Sequence, residues 1–162
     1  MPPFEVMPLG ATFTLVDGSC AASAPAQCMH EPASRLRAPW PIESRTTGTC
    51  LEPLPGTTSA YQPAILVPIA PCFVTSVGAD LVFNLGGVDV TVVGVRVGAV
   101  YQALPEPALV NGLLAGFVTN TAAQQARLPD GLGVLSDFVK QQDHDRAASP
   151  TGEDGFWMYL NF

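Results

Sequence analysis

Two runs of β-branched residues separated by a glycine pair form the clearest pattern in the chain. Residues 81–102 read LVFNLGGVDVTVVGVRVGAVYQ, with Gly86 and Gly87 between the runs. Valine and threonine favour strands, and paired glycines supply the positive φ angles of a tight turn. The pattern therefore predicts a β-hairpin over residues 81–102.

The alternation of apolar and polar side chains changes phase inside the second run. The apolar set occupies even positions from Val88 to Val92 and odd positions from Val93 to Tyr101, which leaves Arg96 on the opposite face. A shift by one residue turns every following side chain to the other face of a strand. We therefore expect a β-bulge or a sharp bend at residues 92–94, with one strand serving two packing surfaces.

Residues 106–127 change to a helical period. Their apolar positions recur three and four residues apart: Leu109, Val110, Leu113, Leu114, Phe117 and Val118. Pro107 suits a first helical turn, and Pro129 lies beyond the end. The spacing predicts the principal helix over about 107–127, with Gly112 and Gly116 allowing close packing on a sheet. A similar stripe predicts a short second helix over residues 132–142.

The last eight residues, GFWMYLNF, are apolar on both faces of a strand. Phe156, Met158 and Leu160 share one face, and Trp157 and Tyr159 share the other. A strand that is apolar on both faces is covered on both. We therefore expect residues 156–162 to form an interior strand beside the hairpin.

The first part of the chain is rich in proline and poor in regular patterns. Residues 12–16 alternate as an edge strand would, and residues 17–60 are predicted to form an irregular arm with Trp40 docked into the core. Residues 61–75 contain three prolines, so we expect an edge or extended segment there, with a short strand at 72–75.

These elements predict a single domain over residues 1–162 that is mainly β. The expected architecture is a β-sandwich or a curled antiparallel sheet, with one principal α-helix packed on it. The β core is expected to span residues 61–162, because the Pro-rich arm offers few apolar positions.

Charge excludes several classes of partner. The net charge is −7, from 14 acidic and seven basic residues, with Lys140 the single lysine. Nucleic acids and anionic lipids are bound through basic patches, and no basic run occurs. The apolar run at residues 64–74 is short and broken by prolines, so no transmembrane segment is predicted. The N-terminal residues lack a signal-peptide pattern; a signal or lipid anchor removed by processing stays open.

Four cysteines lie in the first half of the chain: Cys20, Cys28, Cys50 and Cys72. Their spacing matches neither a zinc site nor a haem-attachment motif, so disulfides are the favoured interpretation. Three pairings are open, of which Cys20–Cys28 and Cys50–Cys72 are preferred because each closes a local loop. Disulfides indicate an oxidising, extracytoplasmic compartment, namely the periplasm, the cell surface or the medium.

An acidic loop near the C-terminus is the candidate metal site. Asp143, Asp145, Glu153 and Asp154 could supply oxygen ligands to Ca²⁺, although the spacing is not that of an EF-hand, and a solvated acidic turn is the alternative. His144 could act as a base or line a ligand surface. Trp40, Trp157 and Tyr159 could line such a surface too, although a core position is the favoured interpretation for these aromatic residues. No catalytic sequence motif occurs, so the chain is predicted to be non-enzymatic and to need no cofactor other than calcium.

Four segments of the C-terminal half occur in an order typical of one group of proteins. They are VRVGAVY at 95–101, LVNGLLAGF at 109–117, the acidic residues 143–145 and GFWMYLNF at 155–162. This pattern resembles uncharacterised exported proteins and lipoproteins of myxobacterial type. Phe156 stands where that group has a tryptophan. The resemblance implies export to the periplasm or the cell surface, and implies no activity.

The sequence therefore predicts an exported, non-enzymatic structural or binding domain. It would be an accessory subunit of a cell-envelope or extracellular assembly, with a protein partner or a second copy bound. The alternative is a calcium-assisted module that binds a small molecule or a glycan through Trp40 and the acidic loop.

Overall fold

The computed structural model of the chain describes residues 12–13, 18–21, 27–30, 40–59, 61–85, 87–103, 105, 108–128, 131–137 and 149–162. Nine antiparallel strands occur in this part of the chain. They are β1 (Thr12–Phe13), β2 (Gly18–Ala21), β3 (Gln27–His30), β4 (Trp40–Arg45), β5 (Cys72–Thr75), β6 (Ala79–Leu85), β7 (Val88–Gln102), β8 (Ala108–Thr119) and β9 (Gly155–Asn161). The mainly β fold is thus confirmed.

Seven of these strands form one open antiparallel sheet. Its order is β1-β4-β5-β7-β8-β9, and β6 pairs with the first half of β7. The strands β2 and β3 form a separate ladder. The long strand β7 therefore holds the sheet together, because β5, β6 and β8 all pair with it.

The predicted hairpin and its bulge are both present. Leu85 pairs with Val88 across a turn in which Gly87 has a φ of 93°. The register of β6 against β7 slips by one residue between the pairs Ala79–Val95 and Leu81–Val92. Gly94 lies in this slip with a φ of 62°, a conformation that glycine adopts without strain.

The bulge serves a different purpose from the one expected. Val90 and Val92 before it, and Val95 and Val97 after it, are all buried in the same core cluster. The change of phase thus keeps the valines on one core while the strand bends, instead of sending them to two packing surfaces. A second surface exists, but it is formed by the alternate residues of the second half of β7, such as Val100.

The prediction of a principal helix over about 107–127 is wrong. Residues 108–119 form strand β8, and only Asn120–Gln125 are helical, as helix α1. The side chain of Thr119 begins that helix by accepting a hydrogen bond of 3.1 Å from the Ala122 amide. Every position from residue 112 to 118 is buried, and a continuous apolar run contains helical spacing by chance. Because both faces of β8 are covered, its apolar residues form a continuous run that resembles helical spacing.

The C-terminal strand is covered on both faces but lies at an edge. Phe156 and Met158 contact one core cluster, and Trp157 and Tyr159 contact the other. β9 pairs with β8 at the end of the strand order, so its predicted interior place beside the hairpin is wrong. Of the predicted helix at residues 132–142, a 3-10 turn at Leu135–Asp137 is present, and residues 138–142 lie outside the described part.

The predicted irregular arm contains strands. β2, β3 and β4 all fall within residues 17–60, because backbone pairing does not require a strong apolar pattern. Trp40 is 7% exposed and belongs to the core cluster of the hairpin, as predicted. Cys20 lies opposite Cys28 in the β2–β3 ladder, but their side chains are outside the described part, so that disulfide stays a prediction.

Residues 50–71, called the strap below, cover the second face of the sheet. The strap begins at Cys50, which is bonded to Cys72 with an S–S distance of 2.00 Å and a Cα–Cα distance of 6.1 Å, so this predicted disulfide is confirmed. Leu51 of the strap packs with Val74 and Leu113 of the sheet. No described helix has the length and apolar character needed to cross a membrane.

The strap lies directly on Gly98 of β7. A Cβ atom at Gly98 would lie 2.8 Å from Leu51 Cβ and 3.2 Å from Pro68 Cγ. We therefore expect Gly98→Ala to lower the free energy of unfolding by about 1–3 kcal/mol, the usual cost of overpacking. Chemical denaturation followed by circular dichroism measures this.

The control for Gly98→Ala is Leu132→Ala, outside the strap. The Leu132 side chain is 59% exposed, so its loss should change the free energy of unfolding by less than about 0.5 kcal/mol. Equal stabilities of the Gly98→Ala variant and the parent chain would contradict the close packing of strap on sheet.

Candidate functional site

The strap is fastened to the outer edge of β9 by the hydroxyl of Tyr61. This hydroxyl donates a hydrogen bond of 3.2 Å to the Trp157 carbonyl and accepts one of 2.9 Å from the Tyr159 amide. An edge strand otherwise leaves such groups without a partner strand. Tyr61 thus closes the sheet edge and fixes the strap with one side chain.

Two side chains of β9, with two contacts each, also hold the strap. The Tyr159 hydroxyl accepts a hydrogen bond of 3.0 Å from the Leu54 amide and lies 2.7 Å from the buried hydroxyl of Thr57. The Asn161 side chain accepts from the Leu66 amide at 3.0 Å and donates to the Leu66 carbonyl at 2.7 Å. The strap is therefore attached at several points along β9, which fixes the gap between the strap and the sheet.

A cavity of about 140 Å³ opens where the first residues of the strap leave the sheet. We call it the inner end of the cleft. Its lining residues come from the strap, β7, β8 and β9: Leu51, Glu52, Leu54, Gly94, Arg96, Ala115, Trp157 and Tyr159. Most of these side chains are apolar or aromatic, which is typical of small-molecule sites.

The aromatic wall of the inner end is fixed by ring packing. The Trp157 ring lies 5.6 Å from the Phe117 ring in an edge-to-face arrangement and 6.4 Å from the Tyr159 ring in a stacked one. Such contacts add to the energy of burial and restrict the rings to one orientation. The buried indole nitrogen of Trp157 has no hydrogen-bond partner among the described residues.

A second, polar cavity with a volume of about 350 Å³ shares part of the lining of the inner end, and we call it the outer end of the cleft. Leu51, Glu52 and Arg96 line both ends, and Arg45 and Thr49 line the outer end alone. Two guanidinium groups and one carboxylate therefore face this space, which gives it one excess positive charge. The outer end thus differs in charge sign from the chain as a whole, whose net charge is −7.

Both arginines are held by backbone carbonyls. Arg96 donates to the Thr75 carbonyl through Nε at 3.1 Å and Nη2 at 2.7 Å, and Arg45 donates to the Thr49 carbonyl at 2.9 Å. Within the described part of the chain, neither forms an ion pair. Glu52 instead accepts a hydrogen bond from the Thr49 hydroxyl. The two cationic groups are thus oriented without forming an ion pair.

Two of the aromatic residues considered for a ligand surface, Trp157 and Tyr159, line the inner end of the cleft. Trp40 is instead buried in the hairpin core, which is the position favoured for it. Glu153 and Asp154 are exposed in the turn before β9. Asp143, His144 and Asp145 lie outside the described residues, within which no group of three metal ligands occurs. The calcium site therefore stays a prediction.

Sequence reasoning missed the cleft because its parts are distant in the chain. Alternation in β7 did place Arg96 opposite the valines, as an isolated charge on a face that the structure half buries. Nothing in the sequence indicated that Glu52 and Leu54 would cover that face. The position of Tyr61 before a Pro-rich run likewise gave no indication of its contact with β9.

Comparisons with protein-family models, curated proteins and solved structures found no match to this chain. The geometry of the cleft is therefore the basis for a functional proposal. The resemblance to exported proteins of myxobacterial type stays a prediction.

We expect Tyr61→Phe to loosen the strap without creating a cavity. The variant keeps the ring but leaves the Trp157 carbonyl and the Tyr159 amide without the hydroxyl. Loss of such part-buried hydrogen bonds should lower the free energy of unfolding by about 1–3 kcal/mol. Urea denaturation of the two proteins gives the difference.

Ser76→Ala serves as the control for Tyr61→Phe. Its hydroxyl donates a solvent-exposed hydrogen bond of 3.2 Å to the Pro41 carbonyl, away from the strap. This control should change stability by less than about 0.5 kcal/mol. If Tyr61→Phe costs no more than Ser76→Ala, the tyrosine does not fasten the strap.

Proposed function

We propose that this chain is an exported, non-enzymatic binding domain that holds a small ligand in the cleft between strap and sheet. The observation that carries the proposal is an apolar inner end beside an outer end that is lined by two arginines without an ion pair and by one glutamate. A mostly apolar concave volume with few oriented polar groups is typical of a small-molecule binding site. The fixed strap keeps this volume open before any ligand arrives.

The disulfide that joins the two ends of the strap supports export. The Cys50–Cys72 disulfide joins residues 22 positions apart and ties both ends of the strap to the sheet. A disulfide that closes a loop of this length stabilises the folded state by about 3 kcal/mol, because it restricts the unfolded chain. Such bonds persist in oxidising compartments, which fits a periplasmic, cell-surface or secreted protein.

Trp157 provides a direct test of binding. It lines the inner end, whereas Trp40 is buried in the other core cluster. In a Trp40→Phe variant, a diverse library of small molecules should contain compounds that change the remaining fluorescence saturably. The measurement is a fluorescence titration at fixed protein concentration.

The complementary variant, Trp157→Phe, keeps only Trp40 and should give no fluorescence change with the same compounds. Binding should also raise the melting temperature of the parent chain, because a ligand of the folded state stabilises it. A library without any saturable binder, or binders that act equally on both variants, would overturn the cleft as the site.

A second candidate function, an accessory subunit that associates with a second copy, is favoured by the outer surface of the strap. Leu66 and Ile69 are 64% and 63% exposed, and they line an apolar groove of about 360 Å³ with Ile65, Val67 and Val100. Exposed apolar patches of this kind are typical of interaction surfaces. The strap would then carry a ligand cleft beneath it and a contact surface above it.

Light scattering after size-exclusion chromatography tests this second candidate. The parent chain should elute with more than the mass of one chain, and Ile69→Ser should reduce the mass to that of one chain. Val77→Ser is the matched control, since Val77 is 53% exposed but outside the groove. A parent chain that is monomeric at high micromolar concentration would argue against this candidate.

A further inference from the structure

From the charge and shape of the cleft we infer the class of its ligand: a small organic carboxylate with an aromatic or branched apolar body. The carboxylate lies beside Arg96 at the junction of the two ends, and the apolar body fills the inner end. This inference rests on the proposed function, because it names the ligand of the same site.

The first argument is the state of the Arg96 guanidinium. It is half-buried, it has no ion-pair partner in the described part of the chain, and its Nη1 makes no hydrogen bond there. A partly desolvated cation gains most from an anion that also accepts hydrogen bonds. The planar guanidinium offers two parallel donors, which match the two oxygens of a carboxylate.

The second argument is the position of Arg45. It lines the outer end together with Arg96, and the Thr49 carbonyl holds its guanidinium. Two of the seven basic residues of an acidic chain therefore face one cleft, whose lining contains a single carboxylate, that of Glu52. This local excess of positive charge selects anions.

The third argument is the size and lining of the inner end. Its volume of about 140 Å³ is close to the roughly 150 Å³ of an apolar cavity that accepts benzene. Leu54, Ala115 and Trp157 give it apolar walls. A ring or a branched aliphatic group therefore fits this end.

A cationic ligand fits the same cleft less well. The rings of Trp157 and Tyr159 would attract a cation, but the Arg96 guanidinium lines the same cavity. Glu52 lines that cavity too and balances Arg96 there, but at the outer end Arg45 and Arg96 outweigh Glu52, and this excess of like charge opposes a cationic ligand. The geometry thus favours an anion over a cation of the same size.

The experiment compares acids with their neutral amides in the Trp40→Phe protein. The probes are phenylacetate, 3-phenylpropanoate and 4-methylpentanoate, each paired with its amide, and the readout is Trp157 fluorescence. We expect at least one acid to bind tenfold or more tightly than its amide, the size of effect that a charge-assisted hydrogen bond gives. Binding should weaken as salt concentration rises.

Three arginine variants test which positive charge binds the carboxylate of the acid. Arg96→Gln should weaken binding of the acid at least tenfold, and Arg45→Gln should weaken it less because Arg45 is more exposed. Arg127→Gln is the matched control: Arg127 is exposed and outside the cleft, so the same loss of charge should leave binding unchanged. Circular dichroism shows whether each variant is folded. If Arg96→Gln does not fold, the acid–amide comparison and the Arg45→Gln variant decide.

The outcomes separate this inference from the proposed function. Amides that bind as tightly as their acids, or an Arg127→Gln effect equal to those of the cleft variants, would overturn the carboxylate inference and leave the cleft as a site for neutral ligands. Tighter binding of a cationic amine, such as phenethylamine, would overturn it in the same way. If neither these probes nor the diverse library binds, the proposed function itself fails.

Discussion

Burial of both faces of β8 is the constraint on which the rest of the structure depends. The strand lies between β7 and β9, and all positions from residue 112 to 118 are buried. One sheet face is covered by the bent hairpin and helix α1, and the other by the strap. A single sheet with two apolar faces needs a cover on each, because exposed apolar area costs free energy in proportion to its size. The strap is therefore part of the core.

The prolines of the strap remove backbone donors, so the strap cannot join the sheet as a regular strand. It is held instead by a disulfide, by the hydroxyls of Tyr61 and Tyr159 and by the Asn161 side chain. Each contact fixes the strap at one point, and the strap lies close to the sheet where Gly98 has no side chain. Between these points the cover is imperfect, and the cleft is the space that remains.

The cleft combines a local excess of positive charge with an aromatic wall of fixed orientation. The protein is acidic, with 14 acidic residues against seven basic ones, but two arginines face the outer end. Their guanidinium groups are oriented by backbone carbonyls and not by carboxylates. This arrangement keeps the charge available at a fixed place, and orientation before binding reduces the entropy lost when a ligand binds. The aromatic wall of Trp157 and Tyr159 is fixed in the same way by ring packing.

Local pattern determined the hairpin, its bulge at Gly94, the short strand β5 and the Cys50–Cys72 pairing, because each depends on residues near one another in the chain. Tertiary structure alone decided that residues 108–119 form a strand, since burial on both faces erased the alternation that distinguishes a strand from a helix. It also decided that β9 lies at an edge and that Tyr61 closes that edge. The cleft was beyond prediction for the same reason: Glu52, Arg96 and Trp157 meet only when the strap folds over the sheet, and spacing along the chain carries no record of that contact.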